Sequence, residues 1–397
     1  MRRLSLLLLP VILLLASCSV GHDNAAPESP SAALDSLFEA SFGSADPGCV
    51  VLVAKGDSII YSRGFGMARL DEPSVITDTT LFNICSISKQ FAAIALLKLQ
   101  EQGALSLDDS VSKYFPDFKA PFFSRITLRH LLSHTSGIPD TRPRTDEEWE
   151  RYVRRYPTSF DNVRDYKVYA LCEESVRYMT DLDSLAFEPG TAYEYQNPTY
   201  QLVLPVVEQV TGRKFTDWMR DSIFLPAGMT STVFVDPGIP GSDCDYAHGY
   251  IPATPSPCPD TYVSPDGRWE ESDYGEAFFF PTKADGGLYT SAREFLKWER
   301  ALFGGRIVGQ KSLDEAFTPL IATDLPHTSY GLGFFIEDRP GVPHKIFHTG
   351  DNGGFLTFEG YFPDNQIFYL IFANRPDWQR ERTAEKVDSL LIAKRWL

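Results

Sequence analysis

Ser86 and Lys89 are separated by two residues in Phe82-Asn83-Ile84-Cys85-Ser86-Ile87-Ser88-Lys89-Gln90-Phe91, just ahead of the apolar run 92–97. On a helix, residues three apart share a face, so the ammonium reaches the hydroxyl without tertiary help. A serine hydroxyl is a poor nucleophile at neutral pH and needs a neighbouring base or cation. The start of a helix also favours developing negative charge. Tyr195 and Asn197 form a second group in Tyr193-Glu194-Tyr195-Gln196-Asn197. A phenol beside ammonium groups can serve as general base, and a carboxamide can orient an acyl side chain and the lysine. A core tyrosine followed by a capping asparagine is the competing reading. The third group is His348-Thr349-Gly350, followed by Asp351-Asn352-Gly353-Gly354-Phe355. An edge strand ending in glycine can aim backbone N–H groups at a substrate carbonyl, commonly among the largest catalytic terms. His348 can supply a proton or bind a substrate carboxylate, or it can be a strand histidine with a structural hydrogen bond.

These residues need elements to hold them. Helix is expected over 32–40, and a hairpin over 48–54 and 58–62 with Lys55-Gly56-Asp57 as its turn, extended by Gly64-Phe65-Gly66-Met67-Ala68. The Ser86 helix should end at Gln102-Gly103, where glycine supplies a left-handed cap. Leu107-Asp108-Asp109-Ser110 should cap a short helix reaching Tyr114, another helix is expected over 127–132, and His134-Thr135-Ser136-Gly137-Ile138-Pro139 reads as a turn. Further helices are expected at 147–155, 169–179, 200–211 and 214–223. The Pro-, Gly- and Asp-rich stretch 236–275 reads as a long irregular excursion. Strands are expected at 330–336, 345–348, 354–361 and 366–373, and a closing helix at 384–397. Strand-forming segments at both ends thus enclose a helical middle. The fold class is α+β, one antiparallel sheet flanked by helices, with an inserted, mostly helical lobe. The sheet-bearing lobe spans 32–104 and 284–397, and the helical lobe 105–283.

The 397 residues suffice for a large core, and 43% hydrophobic residues exclude a disordered chain. A net charge of −16 argues against a nucleic-acid partner, which needs basic patches. Arg2 and Arg3 precede an apolar stretch over 4–15 that is short for a membrane span, and Leu15-Ala16-Ser17-Cys18 follows. This resembles the lipobox of bacterial lipoproteins, with 1–17 as signal peptide, Cys18 as the lipidated residue and 18–31 as a flexible tether. An ordinary secretory signal or an uncleaved anchor is the alternative. The lipoprotein reading places the domain 32–397 in the bacterial cell envelope, tethered to membrane. Of the other cysteines, Cys244 and Cys258 flank a Pro-rich loop and form the most plausible disulfide, whereas Cys49 and Cys85 lie in apolar contexts that suit core residues. No Cys/His spacing reads as a metal site. His130 and His134 have the i, i+4 spacing of a zinc helix, but Leu131 stands where that pattern requires glutamate, so both are read as capping and stitching the helical lobe.

Taken in order, Ser-x-x-Lys, Tyr-x-Asn and His-Thr-Gly resemble the motifs of the serine β-lactamase and penicillin-binding-protein superfamily. The likeness continues in Leu131-Leu132-Ser133-His134-Thr135-Ser136-Gly137-Ile138-Pro139, Phe187-Glu188-Pro189-Gly190, Leu225-Pro226-Ala227-Gly228-Met229 and Gly286-Gly287-Leu288. Tyr-x-Asn points to the branch of class C β-lactamases, D-Ala-D-Ala carboxypeptidases, D-aminopeptidases and related esterases. The resemblance implies Ser86 as nucleophile, Lys89 as its activating partner and Tyr195 as base in acylation and acid toward the leaving group. It implies Asn197 as the residue positioning Lys89 and substrate, with His348, Thr349 and Gly350 on the substrate-binding strand. The oxyanion hole would be the backbone N–H groups of Ser86 and Asp351. No cofactor is implied. Two departures stand out: Cys85 where the family often has glycine, and His348 in place of a lysine. A histidine is mostly neutral at pH 7, which weakens the case for penicillins or a C-terminal carboxylate and favours esterase or broader amide chemistry.

The expected activity is therefore hydrolysis of a small-molecule or short-peptide ester or amide through a Ser86 acyl-enzyme. Transfer of that acyl group to an alcohol or amine is one alternative, and a non-catalytic penicillin-binding sensor is another. The substrate itself and the oligomeric state are not readable from the residues.

Overall fold

The computed structural model describes residues 30–139, 147, 179–234, 246–254, 266–271, 283–352, 354–393 and 396. Cys18, Cys172, Cys244 and Cys258 lie outside the described residues, as do nearly all of the helices expected at 147–155 and 169–179.

One eight-stranded antiparallel sheet is assembled from both ends of the chain. Its strands are β1 (Cys49–Lys55), β2 (Ser58–Phe65), β3 (Ile321–Ala322), β4 (Thr328–Tyr330), β5 (Phe335–Glu337), β6 (Lys345–Asn352), β7 (Phe355–Phe362) and β8 (Ile367–Ala373). The spatial order is β3-β4-β5-β6-β7-β8-β1-β2, so the N-terminal hairpin docks on the C-terminal strand. The β1–β8 register runs from Cys49 opposite Ala373 to Lys55 opposite Ile367.

Composition explains why the central strands are apolar on both faces. Val50, Leu52 and Ala54 enter one core, and Cys49, Val51 and Val53 enter the other. β8 divides likewise, with Phe368, Leu370 and Phe372 on the first face and Tyr369 and Ile371 on the second. Helices α1 (Pro30–Glu39) and α7 (Arg380–Ala393) cover the second face through Leu34, Phe38, Val387 and Leu391. The first face carries α2 (Ser88–Glu101) and α6 (Ala292–Phe303), backed by α5 (Val203–Thr211). α2 is buried from Ser88 to Leu97, which is why its sequence is apolar all round. Each fully buried Leu, Ile or Phe contributes about 1.5–3 kcal/mol relative to exposure.

A buried ionic network fastens α7 to the sheet. Lys345 Nζ lies 2.8 Å from Asp388 and 2.6 Å from Glu337. The Tyr369 hydroxyl donates to Asp388 Oδ1 at 2.8 Å. At the other end, Asn374 accepts from the Gly48 amide and donates to the carbonyls of Met67, Ala68 and His248, so a buried carboxamide ties three segments together.

Several elements differ from the sequence reading. The segment 330–336 is not one strand but the hairpin β4–β5, turning through Gly331-Leu332-Gly333. The turn is forced by close approach: a Cβ at Gly331 would lie 2.2 Å from the Ala316 carbonyl, and one at Gly333 2.7 Å from Ala93 Cβ. The chain after Phe65 leaves the sheet, and Met67–Arg69 pairs with Ser74–Val75 instead of extending β2. The closing helix starts at Arg380, earlier than expected, and the helix expected over 200–211 starts at Asn197. Within 236–275, the excursion holds a two-stranded ribbon of Tyr250–Pro252 and Trp269–Glu271.

Behind α2 lie two buried carboxyl groups. Gln90 donates to Glu359 Oε1 at 3.1 Å and accepts from Trp298 Nε1 at 2.7 Å. Burial raises Glu359 to about 8, with Glu299 adding to the rise and the Gln90 bond opposing it. Burial raises Glu299 to about 8 as well. The folded state therefore holds protons that the unfolded chain releases above about 4.3. Stability from this pair is full below that value and is lost as pH rises toward about 8. Glu359→Gln keeps the acceptor for Gln90 and removes the titration. Its melting temperature should exceed that of wild type at pH 8.5, by roughly 1–2 °C for each kcal/mol recovered, and the gap should narrow steadily as pH falls to 5. Parallel melting curves for the two proteins across this range would refute the assignment.

Candidate active site

Ser86 lies in a 3-10 turn, Cys85–Ile87, that leads directly into α2. The turn is built by its neighbours. Phe82–Asn83 pairs with Leu288–Thr290, and the Ile84 amide donates to the Leu288 carbonyl at 3.0 Å. The Asn83 side chain accepts from the Cys85 amide at 2.8 Å. Cys85 is thereby held at φ +53, a conformation that costs an L-residue roughly 1–2 kcal/mol. Cys85 itself is buried, as is Cys49, and both are free thiols.

β6 presses on the other side of the turn. A Cβ at Gly350 would lie 2.3 Å from Thr357 Oγ1, 2.4 Å from the Ile84 carbonyl and 2.8 Å from Cys85 Cβ. Thr357 Oγ1 also donates to that Ile84 carbonyl at 3.1 Å. Gly350 and Asp351 thus run alongside the Ser86 turn, with Thr349 half-buried before them. On the far side of Gly350, its carbonyl accepts from Arg380 Nη1 at 2.9 Å.

Lys89 is fully buried. Its Nζ donates to Ser86 Oγ at 3.0 Å and to the Asp285 carbonyl at 2.7 Å. It also lies 5.0 Å from the Tyr195 ring centroid and 5.6 Å from that of Tyr200, within cation–π range. Ser86, Lys89 and Tyr195, from distant parts of the sequence, therefore converge. Asn197 opens α4 (Asn197–Gln201), two residues beyond Tyr195, and its Oδ1 is buried with no protein partner among the described residues.

His348 is fully buried. Its Nδ1 lies 2.7 Å from the Thr349 carbonyl, which only accepts, so Nδ1 carries the proton. Nε2 then accepts from the Tyr330 hydroxyl at 3.0 Å. Burial, and after it the charge of Lys89, hold the ring down to about 3. The imidazole is neutral and has no nitrogen left for a substrate carboxylate. Of the roles expected for it, the geometry leaves orientation of the strand.

Tyr200, Tyr330 and Asp285 were not among the candidate residues. Each contributes through tertiary contact, and none sits in a motif with chemical spacing. The one available signal was the Gly286-Gly287-Leu288 segment directly after Asp285. His130 caps its helix as expected: its Nδ1 accepts from the Thr127 amide, and Thr127 Oγ1 accepts from the His130 amide.

A family model described as Beta-lactamase matches residues 34–394. The chain belongs to the beta-lactamase family. It is 28% identical over 345 residues to penicillin-binding protein 4* of Bacillus subtilis, covering 87% of this chain and 72% of that protein. Among solved structures, the octameric penicillin-binding protein homologue from Pyrococcus abyssi superposes with a TM-score of 0.72 at 26% identity, covering 88% and 74% of the two chains. The D-amino acid amidase from Ochrobactrum anthropi SV3, complexed with D-phenylalanine, superposes with a TM-score of 0.71 at 24% identity, covering 92% and 99%. This beta-lactamase-family fold, with its penicillin-binding relatives, is that of a serine hydrolase, and its α+β antiparallel architecture is the one the sequence implied.

The contact at Gly350 generates a prediction. Gly350→Ala must push β6 away from Cys85, because all three of its close neighbours are backbone or buried side chain. A displacement near 1 Å at the reacting groups should lower turnover about 10²-fold. Steady-state kinetics beside a melting curve checks this: a folded Gly350→Ala protein with wild-type turnover would mean that β6 does not set the Ser86 geometry.

Proposed function

We propose that this chain hydrolyses an ester or amide through an acyl-enzyme on Ser86, in the manner of the class C-like branch of its family. The observation that carries the reading is the buried Lys89 ammonium 3.0 Å from Ser86 Oγ with the Tyr195 ring 5.0 Å away. In the proposed sequence, Tyr195 acts as its phenolate, stabilised by Lys89, and takes the Ser86 proton as Oγ bonds to the substrate carbonyl carbon. The carbonyl oxygen becomes an oxyanion, held by the Ser86 and Asp351 N–H groups. The C–O or C–N bond then breaks, and Tyr195 returns its proton to the leaving group. Water then gives a proton to Tyr195 as its oxygen bonds to the acyl carbon, the carbon–Oγ bond breaks, and Tyr195 returns the proton to Ser86 Oγ, releasing the acid. Lys89 stabilises charge on the tyrosine and serine oxygens, and Asn197 orients the acyl group.

The neutral His348 supports substrates without an essential carboxylate, so simple esters and amides are preferred over penicillins. A fluorophosphonate probe should label wild type and not Ser86→Ala. p-Nitrophenyl ester turnover should fall by at least about 10³-fold in Ser86→Ala, and Tyr195→Phe should lose most of its acylation rate. If wild type neither labels nor cleaves any ester, amide or nitrocefin, the hydrolase reading is wrong.

The proposed domain 32–397 comprises the two lobes given by the sequence, and it is tethered in the cell envelope through lipid on Cys18. Labelling with an alkyne fatty acid in a bacterial host should mark wild type and not Cys18→Ser. Equal labelling of both would remove the lipoprotein assignment.

A further inference from the structure

His134 lies in the turn after α3 (Leu128–Leu132), 61 residues before Tyr195 in the sequence. The turn is zipped to the segment that carries Tyr195. The Ala186 amide donates to the Gly137 carbonyl and the Gly190 amide to the Thr135 carbonyl, both at 2.8 Å. The Glu194 amide donates to the His134 carbonyl at 3.0 Å, and the Gln196 amide donates to His134 Nδ1, also at 3.0 Å. One residue therefore binds the backbone on both sides of Tyr195. Its ring also packs on the Tyr195 ring, with centroids 4.2 Å apart, and touches Tyr200 and Tyr330 at 5.0 and 4.9 Å.

The backbone of His134 is in the left-handed region, φ +57. Histidine, asparagine and aspartate are the side chains enriched there. The ring is 1% exposed. Burial, with Lys89 and His348 adding to it, holds its pKa well below the ordinary histidine value. The imidazole is thus neutral, and because the Gln196 amide aims its N–H at Nδ1, Nδ1 accepts and the ring proton sits on Nε2, which is buried with no hydrogen-bond partner among the described residues.

We propose that His134 is a positioning residue for Tyr195: its carbonyl, Nδ1 and ring face fix the loop Glu194-Tyr195-Gln196 so that the phenol stands over Lys89. The proposal rests on Tyr195 being the base of the hydrolase reading above. A protonated side chain could not do this, because Nδ1 would then donate and the Gln196 amide would lose its acceptor. A carbon ring of the same size would keep the packing and lose that bond.

The test uses the full chain as wild type, His134→Gly and His134→Asn. Glycine takes φ +57 without strain and leaves a ring-sized hole, and asparagine tolerates the conformation while keeping a side-chain oxygen. Two quantities are read: hydrogen exchange at the Gln196 amide, and kcat and KM on the ester that wild type cleaves best. His134→Gly should exchange Gln196 at least about ten-fold faster. Its kcat should fall about 10²-fold, with KM changed by less than about three-fold. Added imidazole should restore both quantities. Pyrrole, a ring of the same size with an N–H and no acceptor nitrogen, should restore neither. Unchanged Gln196 exchange and kcat in His134→Gly, or rescue by pyrrole equal to that by imidazole, would overturn the positioning role. Should His134→Gly not melt cooperatively, His134→Asn decides: it should keep Gln196 protected, and loss of protection in a folded His134→Asn would remove the acceptor role. If wild type proves inactive and unlabelled, the hydrolase reading fails by itself, while Gln196 exchange and its dependence on imidazole still decide whether His134 holds this loop.

Discussion

A lysine ammonium with no exposure to solvent is the constraint on which the rest of the site depends. Removing such a charge from water costs several kcal/mol even after relaxation, and the protein must return that through close, oriented acceptors. Here Lys89 has the Ser86 hydroxyl, the Asp285 carbonyl and two tyrosine faces around it. These partners lower the cost of burying the charge. The same charge acts on the two buried imidazoles: it adds to burial in keeping His134 and His348 neutral. His348 thereby uses both nitrogens, one on the Thr349 carbonyl and one on the Tyr330 hydroxyl, and His134 uses Nδ1 to accept from the Gln196 amide.

Holding the Ser86 hydroxyl beside this cation requires backbone that ordinary elements do not provide. Cys85 and His134 both adopt left-handed conformations, one just before Ser86 and one hydrogen-bonded to the backbone on both sides of Tyr195. Such strain persists where surrounding structure over-determines it. For Cys85 that structure is the Asn83 side chain, the pairing with Leu288–Thr290 and the contact with Gly350. For His134 it is the series of amides from Ala186 to Gln196. The large sheet supplies the rigid base: β6 is paired on one side with β7 from Ile346 to Asn352 and on the other with β5 only as far as Phe347. The Ser86 turn packs on the face of this sheet at the cross-strand pair Gly350 and Thr357.

The Ser86–Lys89 pair was legible from local spacing, because residues three apart on a helical turn meet by geometry alone, whereas Tyr195, Asn197 and His348 joined it only through the resemblance to the family's three motifs. The strands were legible because β-branched and aromatic runs such as 49–54 and 366–373 demand burial on both faces. The β4–β5 hairpin was not, since Gly331 and Gly333 reflect the approach of Ala316 and Ala93, contacts that no local pattern contains. His348 shows the same limit at the site. Its identity suggested a group facing substrate, yet Tyr330 and the Thr349 carbonyl take both nitrogens.

The sequence by itself determined which side chains are chemically able to act, and the class of fold that brings them near, because those follow from residue type and from hydrophobic period. Tertiary structure decided the protonation of His134 and His348, the partners of Lys89 and the place of Tyr195. Those depend on burial and on charges or acceptors brought close from positions far along the chain, and the energy of such contacts exists only once the core has excluded water.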